Sequence, residues 1–165
     1  MDIDTNLVVV DIVAIWTIDA ALFSIAGLGF LAWGIALRGA GRSLAAFAIE
    51  LAVCLVVERV ATTLHRADRL ESASPLPAGA RRGSIAAYTL KAIAAVGLAG
   101  AMTAAVAVTL SAPQFVGGFF VAYGIIRLVS ARRARAMERR ELVEYRVRLG
   151  SWRKRPEYYV TSPVF

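Results

Sequence analysis

Residues 92–126 carry no charged side chain over 35 positions, and residues 20–37 carry none over 18. About 20 apolar residues rising 1.5 Å each cross a hydrocarbon core of about 30 Å, so uncharged runs of this length read as transmembrane helices. The whole chain leans the same way. Hydrophobic residues are 58% of its 165 positions and charged residues 19%, with a mean hydropathy of +0.62. That is too apolar for an ordinary soluble domain and excludes a disordered chain. One cysteine, Cys54, excludes a disulfide scaffold, and one histidine, His65, leaves no set of metal ligands.

The breaks between apolar runs define four spans, at about 12–37, 43–64, 84–110 and 115–130. In span one, Trp16 and Trp33 stand 17 residues apart, or about 25 Å of helix. Tryptophan favours the two interfaces, so the apolar core lies between them and Asp11 falls at headgroup level. Span two follows a short turn at 38–42, with Ser43 as the expected N-cap. Glu50, Glu58 and Arg59 interrupt it, and His65 ends it at the interface. Pro113 lacks an N–H and disfavours helix in the residue before it. The four uncharged residues 111–114 therefore separate spans three and four and make them an antiparallel pair. Residues 65–83 contain Ser72, Ser74, Pro75, Pro77 and Gly79 and read as a loop. The first residues form neither a basic n-region nor a small-residue cleavage site, so span one is expected in the mature protein.

The expected fold is an all-α integral membrane protein with four transmembrane helices in two antiparallel hairpins over 1–130. Residues 131–165 are expected to extend span four as a basic cytoplasmic helix and then an irregular aromatic tail. The net charge is +7, with 17 arginines against two lysines, and 11 of the 19 basic residues lie from Arg127 onward. Four spans put both ends on one side. If that side is the cytoplasm, Arg66, Arg69, Arg81, Arg82 and the basic tail lie inside, and Arg38 and Arg42 outside. The excess of Lys and Arg in cytoplasmic loops favours that orientation.

Charges within lipid cost several kcal/mol and face other helices. Counting 1.5 Å per residue from the span midpoints puts Asp19, Glu58, Arg59, Lys91 and Arg127 in one layer, about 7–9 Å to the cytoplasmic side. This layer reads as inter-helix ion pairs that fix register, with a proton or ion relay as the alternative. Glu50 lies about 4 Å to the other side with no cation at its depth. It reads as a neutral hydrogen-bonding carboxyl. Small residues four apart allow close helix approach in lipid. Gly97, Ala101 and Ala105 in span three and Gly118 and Ala122 in span four are therefore expected to pack those two helices together, with a homo-oligomer seam as the alternative.

In the tail, a helix is expected over 131–149 with Gly150 as its stop. Glu144 and Arg148 would form an i,i+4 pair, Arg135 and Glu138 an i,i+3 pair. Met137, Leu142, Tyr145 and Leu149 would form a partial apolar stripe. Arg132, Arg133, Arg135, Arg139, Arg140, Trp152, Arg153, Lys154, Arg155, Tyr158 and Tyr159 are the expected contact residues. Their targets are anionic lipid headgroups, an acidic protein partner or, less favoured, nucleic acid. No serine elbow, phosphate loop or paired-His motif is present. Neither an enzyme nor a cofactor is expected. The favoured function is a non-catalytic structural or assembly subunit of a membrane complex. A pore or ion-pathway protein of the holin or channel-accessory kind is the second reading. A viral envelope protein with an inward-facing basic tail is the third.

Overall fold

The computed structural model describes residues 8–64, 73–110, 112–148 and 157–161. His65, Arg66, Arg69, Ser72, Leu149, Gly150, Trp152, Arg153, Lys154 and Arg155, each given a place by the sequence reading, lie outside the described residues. Four helices dominate the rest: α1 (Ile12–Arg38), α2 (Ala40–Leu64), α3 (Ile85–Leu110) and α4 (Pro113–Glu141). Each is long and apolar enough to cross a membrane, and together they point to a multi-pass membrane protein.

Local chemistry sets the helix ends. Asp11 Oδ1 accepts the Ala14 N–H at 2.9 Å, which caps α1. Gly39, at φ 81°, closes α1 through its N–H to the Ile35 carbonyl at 2.9 Å. That conformation is free of strain for glycine, so a single residue separates α1 from α2. Ser43 consequently lies inside the first turn of α2 and does not cap it. It is fully buried, and its hydroxyl has no hydrogen-bond partner among the described residues.

One seam organises the bundle. Val13, Ala20, Gly27 and Gly34 recur every seven residues on the buried face of α1. Gly117, Gly124 and Ala131 do the same on α4. A seven-residue repeat stays on one side of a pair of helices that coil gently around each other. The helices touch backbone to backbone there. A Cβ on Gly27 would stand 2.7 Å from the Gly117 carbonyl, and one on Gly117 would stand 2.7 Å from the Gly27 carbonyl. One on Gly124 would meet the Ala20 carbonyl at 3.0 Å.

The second small step on α4 receives α2, where a Cβ on Gly118 would lie 2.9 Å from the Phe47 carbonyl. With both close-approach faces of α4 occupied, α3 lies mainly along α1 and touches α4 little. The expected packing of α3 on α4 through their small residues is thereby corrected. Gly97, Ala101 and Ala105 face outward, and nothing lies within 4 Å of a Cβ on Gly97. The inward face of α3 is instead Ala92, Val96 and Ala107. Val96 and Ala107 join a cluster around Phe30 and Phe120, whose rings are 5.6 Å apart.

A small sheet caps one end of the bundle. β1 (Val8–Asp11), β2 (Ser74–Pro75), β3 (Arg81–Arg82), β4 (Glu144–Arg148) and β5 (Glu157–Thr161) assemble in the order β2-β5-β4-β1-β3. The all-α expectation thus holds for the spans but not for the segments flanking them. The helix expected to Leu149 stops at Glu141, because Leu142 takes a left-handed conformation (φ 54°) with its N–H on the Glu138 carbonyl. Residues 144–148 alternate Glu-Tyr-Arg-Val-Arg, the period of a strand. β4 then pairs antiparallel with β5, where an irregular tail was expected, and with β1 on its other side. Cross-strand partners Tyr145 and Val160, and Val147 and Tyr158, put apolar side chains on one face. That face joins Val10, Ile12, Val13, Ile15, Ala131 and Ala134 in one cluster. Both edge strands are two residues long and come from the segment expected to be a loop; Pro75 blunts one edge.

Two substitutions two residues apart on α1 separate the seam from the lipid face. Gly27→Ala is expected to lower the unfolding free energy by about 1–3 kcal/mol through overpacking. Gly29→Ala, where no atom lies within 4 Å of the new Cβ, is expected to raise it by up to about 1 kcal/mol from helix propensity. Unfolding titrations in mixed micelles measure both signs.

Candidate functional site

The expected charge layer resolves into a smaller, better-connected group. Asp19 on α1 is 8% exposed. The Tyr88 hydroxyl of α3 donates to Asp19 Oδ1 at 2.7 Å. Arg127 Nε of α4 stands 3.7 Å from Asp19 Oδ2. The Arg127 guanidinium also donates to the Tyr123 hydroxyl one turn earlier, and its Cζ lies 4.8 Å from the centre of that ring. Three helices are thus tied at one depth, and the charges cancel. This matches the physics of lipid, where a carboxylate persists only if a cation and hydrogen-bond donors replace its water.

Other members of the expected layer do not join it. Glu58 is half-buried and lines an apolar groove of about 210 Å³ between α2 and α4, with Val53, Cys54, Val57 and Tyr123. Arg59 and Lys91 are exposed on α2 and α3. Glu50 accepts from Cys54 Sγ one turn on, at 3.4 Å, and its Cβ abuts the Gly118 backbone. It therefore bonds within its own helix, while its stem packs against the next. Ala122, on the same face of α4, is 1% exposed.

The sequence reading missed Tyr88 and Tyr123. A signal was available for the first. Tyr88 opens span three at interface depth, where a tyrosine keeps its ring in apolar surroundings and seeks a partner for its hydroxyl.

The second concentration of functional groups lies at the sheet-capped end. The last part of α4 buries Ala131 and Ala134 and turns Glu138 toward the hairpin, where Oε1 accepts the Tyr145 N–H at 3.0 Å. The Tyr145 hydroxyl donates to Glu141 Oε2 at 2.6 Å. The helical pairs expected for Glu138 with Arg135 and for Glu144 with Arg148 are replaced by these contacts and by strand pairs. Arg146 bridges Asp11, at 3.7 Å, and Glu144. Arg148 meets Glu157 at 3.4 Å.

Arg132, Arg133, Arg135, Arg139 and Arg140 are exposed and form no ion pair among the described residues. At 100° per residue they sweep an arc of about 160° on the side of α4 away from Ala131 and Ala134. Tyr158 and Tyr159, expected to reach a partner, are only partly exposed. Tyr158 packs on the apolar cluster. The Tyr159 hydroxyl donates to Glu157 Oε2 at 2.7 Å, and burial, reinforced by that carboxylate, pushes its phenol above the ordinary range. Among the described residues no three His, Cys, Asp or Glu side chains come together as metal ligands would.

The chain matches no protein-family model, no curated protein and no solved structure.

The Asp19–Arg127 pair is expected to act as one unit. Asp19→Asn and Arg127→Gln should each destabilise the bundle, because each leaves a charge without its counterpart. The double variant should recover part of the loss, with a coupling energy of about 0.5–3 kcal/mol in a double-mutant cycle. Strict additivity in that cycle would contradict the pairing.

Proposed function

We propose that this chain is a non-catalytic structural subunit of a membrane assembly, held by four spans and docking an acidic protein partner on the arginine face of α4. One observation carries the reading: five arginines occupy one side of a helix whose other side is anchored in the sheet cluster. The clustering of basic residues at the sheet-capped end supports a cytoplasmic location for it. Lipid alone accounts for part of this face. Arg132 and Arg133 lie at headgroup depth, where each basic residue contributes about 1 kcal/mol toward anionic lipid. Arg139 and Arg140 lie about 14 Å beyond Ser130 along the helix axis, more than a Debye length of about 8 Å from the surface. An acidic protein surface suits those two.

The ion-pathway reading draws less support. Asp19 is tied to Tyr88 and Arg127, and the α1–α4 seam is closed by backbone contact.

Purification in mild detergent tests the proposal. The wild-type chain should elute with a stoichiometric protein partner. A variant with Arg132, Arg133, Arg135, Arg139 and Arg140 changed to Gln should insert normally yet retain less than a tenth of that partner. A wild-type chain that purifies alone, or a variant that keeps its partner, would contradict it.

A further inference from the structure

The two outer helices each carry an intramembrane charge that the chain itself does not neutralise. Glu58 of α2 lines the apolar groove between α2 and α4, whose walls include Val53, Val57, Phe119, Ala122 and Ile126. Lys91 is exposed on α3. Neither forms an ion pair or a side-chain hydrogen bond among the described residues. Glu58 stands six residues before the end of α2, about 9 Å, and its short stem cannot carry the carboxylate to the headgroups. A carboxylate at that depth calls for a cation at the same depth.

The depths of Glu58 and Lys91 agree. Tyr88, three residues before Lys91, donates to Asp19, and Tyr123, which shares the groove with Glu58, accepts from Arg127. Asp19 and Arg127 are themselves paired, so Glu58 and Lys91 both lie within about one turn of that pair, or about 5 Å. Within one chain the two cannot meet. α2 packs on Gly118 of α4, whereas α3 joins the cluster at Phe120. Two residues are about 200° around a helix, so α2 and α3 occupy opposite flanks of the bundle, and they do not pack on each other. A second copy inserted the same way presents its Lys91 at the depth of the first copy's Glu58.

The surface around Lys91 suits such an approach. Ala87, Lys91, Ala94, Leu98, Ala101 and Ala105 follow one another at alternating steps of four and three residues, and all are exposed. That spacing keeps a seam facing one neighbouring helix, and the four alanines let backbones come close. Small residues alone do not specify a neighbour, but the charges do. Contact between like flanks would set Glu58 against Glu58 or Lys91 against Lys91, whereas contact between unlike flanks brings opposite signs together.

We propose that copies of this chain associate head to tail in the membrane plane, with α3 of one copy seated along the α2–α4 groove of the next and Lys91 paired with Glu58. Each copy carries both faces, so the contact is heterologous and extends beyond a dimer into a row or ring. The association does not depend on the docking of an acidic partner, because the arginine face of α4 lies beyond the spans.

The test uses the full chain. In liposomes, energy transfer between donor-labelled and acceptor-labelled copies should report self-association. Glu58→Lys and Lys91→Glu should each weaken it at least tenfold. The two changes in one chain reverse the pair and should return the association to within about threefold of wild type, a rescue that damage to the helices would not give. Arg132→Gln with Arg133→Gln should leave it unchanged. In native membranes, benzoylphenylalanine in place of Val57 should cross-link to a second copy within residues 87–105. A wild-type chain that stays single, or a double reversal no better than the single changes, would overturn the proposal. So would cross-links that map to α2 of the neighbour, or capture of a different protein in place of a second copy.

Discussion

Direct backbone contact between α1 and α4 underlies the rest of the structure. In lipid, apolar side chains gain nothing by leaving solvent for one another, so helices associate through close packing and polar contacts. The heptad series Val13, Ala20, Gly27, Gly34 and Gly117, Gly124, Ala131 provides the first. The Asp19–Tyr88–Arg127 group provides the second at one depth. Because Gly117 serves α1 and its neighbour Gly118 serves α2, α4 becomes the central helix. α2 and α3 are left largely facing outward, with Ile49, Val53, Val56, Val57, Leu90, Leu98 and Met102 exposed. Such a surface suits hydrocarbon and not water.

That seam also sets the position of the sheet. α1 and α4 run antiparallel, so the strand before α1 and the strand after α4 emerge side by side, and β1 pairs with β4 from Val9 to Asp11. The segment between α2 and α3 contributes both edges. Three stretches distant in sequence thus become one layer at one end, with an apolar face toward the helices and arginine–carboxylate pairs on its polar residues. The same construction frees one side of α4 beyond the bundle, and there its arginines stand without counter-ions among the described residues.

The spans were legible because their signal is local. Uncharged runs and the Pro113 break place α1 and α3 within a residue of their observed limits, and Gly39 explains why α2 begins three residues before the expected Ser43. The shared depth of Asp19 and Arg127 was legible, but not which of the five charged residues of that layer would pair. Partners were not, because small residues are abundant on every helix and spacing does not say which face is used. The four-residue Gly97–Ala101–Ala105 strip drew attention, whereas the seven-residue series that forms the seam was overlooked. The tail misled for a different reason. Residues 144–148 fit a helical i,i+4 pair and a strand alternation equally well over so short a length. The left-handed turn at Leu142, which decides between them, falls on a residue with no preference for it.

The joining of the two chain ends in one sheet is the claim on which the rest turns, and a disulfide formed in intact membranes tests it most directly. With Cys54 replaced by Ser, cysteines at the partner positions Val10 and Val147 should cross-link on mild oxidation of the membrane pellet. They should do so as readily as a control pair at Glu144 and Thr161 within the β4–β5 hairpin. A control pair that links while the Val10–Val147 pair stays reduced would contradict the account.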